Sequence, residues 1–180
     1  VSNGQLNITA DENSYKMVIG RATVNVSDLS NLNVPNVNFM GDSGKIKIFQ
    51  GTVNIDTDSD IDKNNTNGDK TYRDLEIGQS TIINGNGIKI TGTENSLAGI
   101  AQSAKYNETT SSVYNNGIID LKGDSSIGIY NKRGYTSNTG VIDAEGNQST
   151  GLYGVSGYNE NTGEIRIKDN GIGIYSTTYL

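Results

Sequence analysis

The chain has 180 residues, 14 Lys+Arg against 20 Asp+Glu, and a net charge of −6. It holds no cysteine, histidine or tryptophan, which excludes disulfide staples, zinc–thiolate sites and thiol nucleophiles and removes the commonest general base. An acidic chain without a basic run is a poor ligand for nucleic acid or an anionic membrane surface.

Gly (23), Asn (24) and Ile (21) are abundant while Leu is scarce (8). Ile favours strand, and so many Gly and Asn imply many turns. The mean hydropathy of −0.50 approaches that of disordered chains. The apolar residues, however, fall in short alternating runs, the pattern of half-buried strands.

From the N-terminus, Gln5–Thr9, Tyr15–Ile19, Ala22–Val26, Ile46–Ile48 and Thr52–Ile55 read as strands. No window keeps a helical period over three turns, and no apolar run reaches the roughly 18–20 residues of a membrane span. Val1 opens no charged-then-apolar leader, so a signal peptide is expected to be removed or to lie outside this stretch. Asp56–Thr71 reads as a polar protruding loop. Residues 1–84 are expected to be less regular turns of the architecture that repeats in residues 85–180.

The repeat is explicit toward the C-terminus. Asn115–Tyr130, Asn138–Tyr153 and Asn161–Tyr175 align, with a looser copy in Gly87–Ala101 and a loop, Gln102–Ser112, between them. Asn115, Asn138 and Asn161 share one phase, as do Gly117, Gly140 and Gly163. A period of about 23 residues predicts an all-β solenoid, each coil carrying about three short strands. Leucine-rich repeats have similar lengths but need a leucine framework that is missing here.

The phase assigns faces. Ile119, Ile142 and Ile165 form one inward column, and Leu121, Ala144 and Ile167 another. Asp120, Asp143 and Arg166 point outward, as do Lys122, Glu145 and Lys168, whose alternating sign opposes repulsion between stacked neighbours. Ile129, Leu152 and Ile174 make a further apolar column, flanked by Gly128, Gly151 and Gly173, which suggest a tight corner or close backbone approach.

Few residues suggest chemistry. Asp56, Asp58, Asp60 and Asp62 alternate, and Asp58, Asp60 and Asp62 are the metal candidates, since oxygen-rich loops can hold Ca²⁺. The sixth position counted from Asp58 is Lys63 where an EF-hand requires Gly, and a solvated loop is the alternative. Asp120 and Asp143, stacked one coil apart, approach a retaining-glycosidase separation, but every charged pair in such a stack does so. Tyr130, Tyr153 and Tyr175 are the ligand-binding candidates: an aromatic strip, with Tyr114, Tyr135, Tyr158 and Tyr179 nearby, able to take glycan or protein. The alternative is a tyrosine ladder sealing a corner. The three asparagines are expected to bond as an amide ladder. N-x-S/T triplets at Asn7, Asn25, Asn64, Asn107 and Asn147 are no more than this composition gives by chance. Phosphate-loop, dinucleotide, zincin and serine-hydrolase motifs are missing, and no cofactor is called for.

Ser126-Ile-Gly-Ile-Tyr130, Ser149-Thr-Gly-Leu-Tyr153 and Asn170-Gly-Ile-Gly-Ile-Tyr175 resemble the repeat of bacterial autotransporter (type V secretion) passenger domains, in particular fusobacterial outer-membrane adhesins. The likeness covers residues 85–180; the first half matches only in composition. It implies a right-handed parallel β-helix and a cell-surface adhesin segment of a much larger passenger, exposed on the outer membrane or released from it and binding glycan or protein on host cells or other bacteria. The acidic charge and the lack of a long apolar run add the expectation of no nucleic acid partner and no membrane insertion by this segment. A passive stalk and a polysaccharide-active β-helix enzyme are the alternatives. Without a histidine or a carboxylate cluster, the segment is read as no enzyme.

Overall fold

The computed structural model describes residues 5–30, 32–41, 43–63, 72–103 and 111–177. Its elements in chain order are β1 (Leu6–Ile8), β2 (Tyr15–Asn25), α1 (Val26–Ser30), β3 (Val37–Phe39), β4 (Lys45–Ile55), β5 (Ser59–Asp60), β6 (Leu75–Asn84), β7 (Lys89–Gly92), β8 (Ala98–Ser103), β9 (Ser111–Asn115), β10 (Ile118–Leu121), β11 (Ile127–Lys132), β12 (Gly134–Asn138), β13 (Val141–Ala144), β14 (Thr150–Val155), β15 (Tyr158–Asn161), β16 (Glu164–Ile167) and β17 (Ile172–Thr177). The described residues are all-β apart from the short α1.

Three parallel sheets dominate, in the orders β5-β7-β10-β13-β16, β8-β11-β14-β17 and β2-β4-β6-β9-β12-β15. From β7 onward the chain visits them in turn, so each strand pairs with the third strand after it. β7–β9, β10–β12, β13–β15 and β16–β17 are successive rounds. Parallel sheets covered on the inner face need continuous apolar columns, and the register supplies them. Ile90, Ile119, Ile142 and Ile165 are partners in one sheet, and Ile100, Ile129, Leu152 and Ile174 in the next. Ile90, Ile100, Ile119, Leu121, Ile129, Ile142, Ala144 and Leu152 are all sealed from solvent. The expected inward columns are thus observed. Only their last members open: Ile165 and Ile167 are half-buried and Ile174 is 49% exposed, because β16 and β17 are edge strands.

Bends between sheets recur in phase. Ser125 and Gln148, and likewise Arg133 and Ser156, adopt positive φ near 60° (φ 56, 58, 66 and 55). None is glycine, so each position stores roughly 1 kcal/mol of strain that the stacked sheets must offset.

The first half differs from expectation in three ways. Tyr15–Ile19 and Ala22–Val26 belong to one strand, β2, and Ile46–Ile48 and Thr52–Ile55 to another, β4. Val26 begins α1 instead of ending a strand. Five residues are too few to show a helical period; what marks the helix is local, with Asn25 donating to the Asp28 carboxylate at 3.0 Å and the Ser27 amide to Asp56 at 2.9 Å. Val26 and Leu29 turn into the core. Finally, β1 pairs only with β3, in a separate two-stranded sheet. β2, β4 and β6 extend the large sheet; β6 is not among the strands read from the sequence.

Asp56–Thr71 is not wholly a protruding loop. Ser59 and Asp60 pair with Ile90 and Thr91, and Ser59, Ile61 and Asp62 are buried; residues 64–71 lie outside the described residues. In the loop Gln102–Ser112, Gln102 ends inside β8, buried, and donates to the Ser80 carbonyl at 2.8 Å, while Ser111 and Ser112 begin β9. Residues 104–110 lie outside the described residues.

Candidate functional site

The outward tyrosines form two ladders. On the β8-β11-β14-β17 sheet, Tyr130 is the register partner of Tyr153, and Tyr153 of Tyr175. Their ring centroids are 5.6 Å and 4.7 Å apart, the second pair stacked at 23°. Offset stacking of this kind adds about 0.5–1.5 kcal/mol per pair. On the neighbouring sheet Tyr135 stacks on Tyr158 at 5.7 Å, and Tyr114 sits diagonally against Tyr135 at the same distance. Tyr179 lies outside the described residues.

Stacking has a chemical consequence. A ring lying against its neighbour has its π face covered, so it offers a ligand its edge and hydroxyl. In the first ladder the register partner on the other side of Tyr130 is Ala101. Among the described residues no ring stacks on Tyr130 from that side. The Tyr135 hydroxyl donates to the Glu160 carboxylate, and that bond, with the nearby negative charge, raises the Tyr135 pKa.

The aspartates Asp58, Asp60 and Asp62 are not gathered for a metal. Asp58 accepts the Lys89 amide at 2.8 Å, and Asp60 the Asp62 amide at 3.0 Å. Asp62 accepts the amides of Thr93 (2.7 Å) and Glu94 (2.9 Å) on one oxygen and the Thr93 hydroxyl (2.6 Å) on the other. Burial alone would raise the Asp62 pKa, but these three bonds prevail and hold it below the ordinary value. Each carboxylate thus serves a separate stretch of backbone. Among the described residues no group of three His, Cys, Asp or Glu converges as a metal site.

Asp120 and Asp143 are register partners, each beside a cation: Lys122 lies 2.8 Å from Asp120, and Arg166 lies 3.6 Å from Asp143. Lys122 also reaches Glu145 at 3.1 Å, and Lys168 reaches Glu145 at 3.1 Å. The alternating column therefore forms a continuous ion-pair chain, with the Glu145 pKa lowered chiefly by Lys168 and then Lys122. The asparagines Asn115, Asn138 and Asn161 form the expected amide ladder, at 2.7 and 2.6 Å. It includes a fourth member, Asn84, that the repeat did not reveal, bonded to Asn115 at 2.8 Å.

Among the described residues no helix is long and apolar enough to cross a membrane. Comparison of the chain with protein-family models, with curated proteins and with solved structures finds no match.

Proposed function

We propose that the chain is a segment of a right-handed parallel β-helix of about 23 residues per coil, exposed at a bacterial cell surface as part of an autotransporter passenger. It attaches to glycan or protein on host or neighbouring bacterial cells through its outer surface. The repeated N-x-G and G-[I/L]-Y motifs support the family, and the in-register passage through three parallel sheets supports the architecture. The observation that carries the binding role is the outward ladder Tyr130–Tyr153–Tyr175, in which Tyr130 has Ala101 as its other register partner.

The test is a glycan and host-protein array probed with the 180-residue chain and its Tyr130→Ala variant. Binding that weakens in the variant supports the reading. Binding unchanged in the variant removes the ladder as the site. A chain that binds nothing leaves the passive stalk, which the ring-on-ring stacking favours because it turns recognition surface into internal contact. The polysaccharide-active enzyme is the weaker alternative: among the described residues its carboxylate pair in register is Asp120 and Asp143, and each already has a cation beside it.

A further inference from the structure

A second surface lies on the opposite half of the chain, where three long strands break phase together. Along β4, Ile46 and Ile48 point inward, and then Val53 and Ile55 do. The inward set passes from even to odd positions across Gln50–Thr52. In β2 the slip falls between Ile19 and Val24, and in β6 between Ile77 and Ile82. The slips are stacked, since Arg21, Gln50 and Gln79 are register partners, as are Ala22, Gly51 and Ser80, and Thr23, Thr52 and Thr81.

The result is a crease running across the strands. Its floor at Gly51 admits no side chain: φ is +135°, and a Cβ would lie 1.9 Å from the Ala22 carbonyl oxygen. The crease opens into a trough of about 430 Å³, walled by the Arg21–Gln50–Gln79 column on one side and by Thr23 and Thr52 on the other. That volume lies in the range of small-ligand sites. No acidic side chain lines it, although the chain carries a net −6. Arg21 is exposed, and neither it nor Gln50 makes a side-chain hydrogen bond or ion pair among the described residues.

One uncommitted guanidinium beside amides and hydroxyls is a specific offer. Guanidinium takes a carboxylate through two parallel N–H bonds. Amide and hydroxyl groups each donate and accept, which suits sugar hydroxyls. We propose that this crease binds a carboxylate-bearing sugar, a uronic-acid unit of an acidic oligosaccharide, with its carboxylate on Arg21 and its hydroxyls on Gln50, Gln79, Thr23 and Thr52. An acidic peptide would satisfy Arg21 but repeats its charge without the hydroxyls that four of the five polar walls address.

The experiment is an amide-resolved NMR titration of the isotope-labelled 180-residue chain with trigalacturonate, with neutral galactotriose and triglutamate in parallel. Trigalacturonate is expected to shift the amides of Arg21–Thr23 and Gln50–Thr52 with a millimolar Kd. Galactotriose should bind at least about tenfold more weakly. Arg21→Ala, an exposed position, should keep the spectrum dispersed and lose about tenfold or more in affinity, and Gln50→Leu should weaken binding several-fold with its charge state intact. The proposal is overturned by any of three results: no crease shift up to about 10 mM trigalacturonate, equal binding of the neutral sugar, or affinity indifferent to Arg21→Ala. Binding of triglutamate as tight as trigalacturonate would make the crease a general acidic-peptide site and also overturns it. The crease lies apart from the tyrosine ladder, so Tyr130→Ala should leave this titration unchanged. Failure of one reading therefore leaves the other standing.

Discussion

Asn84 donates from Nδ2 to Oδ1 of Asn115 at 2.8 Å, while its own buried Oδ1 receives no donor. The reason is in the register: the residue beneath Asn84 is Ile55, not another amide. From Asn84 the bonds run one way, through Asn115 and Asn138 to Asn161, whose amide ends on the Gly163 carbonyl at 3.2 Å. The ladder is a polarised chain inside a parallel stack, with its orphan acceptor at the start.

Asn115→Leu should therefore cost more than the loss of one bond. It strands the Asn84 amide and the Asn138 carbonyl oxygen together in a buried setting, about 1–3 kcal/mol for each. Asn161→Leu, at the exposed end, removes one acceptor beside water and should cost under about 1.5 kcal/mol. Urea midpoints of the two variants decide the matter; equal losses would mean that the ladder carries no cooperative burden.

The inward and outward columns make a second test. Ile142 is sealed between Ile119 and Ile165, so Ile142→Asp should remove on the order of 4 kcal/mol or unfold the chain. Asp143, the next residue, is half-buried instead of fully in water, and its Oδ1 is enclosed. Its cation, Arg166, is shared with Glu164 at the shorter distance of 2.7 Å. Asp143→Asn gives up that partial pairing and relieves repulsion from Asp120, and should change stability by under about 1 kcal/mol. Chemical denaturation of both variants measures the ratio.

How much of this was legible follows from the spacing of register partners. Asn115, Asn138 and Asn161 bond at separations of 23, and there the columns, the amide ladder and the ion-pair column could be read from the repeat. Asn84 and Asn115 are 31 apart, and Asn25 and Asn54 are 29 apart. Insertions between strands stretch the period, so a fixed-period comparison misses Asn84. Ile61 and Asp62 were obscured by composition: carboxylates that cap buried backbone look, in sequence, like carboxylates that face water. The crease at Gly51 was missed because a stacked phase slip resembles the ends of two short strands. Tyr130, Tyr153 and Tyr175 were legible as a column, but ring stacking, which decides what they offer a ligand, depends on side-chain tilt.

The glycines beside the Ile129–Leu152–Ile174 column separate cleanly. A Cβ on Gly128 would fall 2.4 Å from Cγ2 of Ile142 and 2.6 Å from the Gly151 carbonyl oxygen, whereas one on Gly173 meets nothing within 4 Å. Gly128→Ala should cost about 2 kcal/mol or more, since both obstacles belong to the packed stack. Gly173→Ala should be neutral or slightly stabilising, through the entropy of the unfolded chain. Thermal melts that rank them the other way would show that the corner yields.

The last expectation concerns Asp62, because it reverses what its acidic surroundings suggest. Deleting 56–71 as a dispensable loop should abolish folding, since Ser59 and Asp60 extend a sheet and Ile61 belongs to the core. A gentler probe is Asp62→Asn. The ionised carboxylate accepts three bonds from Thr93 and Glu94 and fastens residues 56–63 to the turn after β7. Its pKa is held below the ordinary aspartate value, so the folded state binds this proton less readily than the unfolded state. The stabilisation is complete above the unfolded pKa near 4 and is lost as pH falls through the lower folded value. At pH 7 the substitution should cost about 2–3 kcal/mol, the worth of a charged hydrogen-bond acceptor. Near pH 3 and below, the wild type should lose this advantage while the variant changes less. Asp56, also held low by Ser27 after its burial is offset, leaves a residual slope in both. Urea midpoints at pH 7, 4 and 2.5 for both proteins test the linkage. A constant gap between the two curves would mean that Asp62 acts through shape alone, and that its charge contributes nothing to holding the first rounds together.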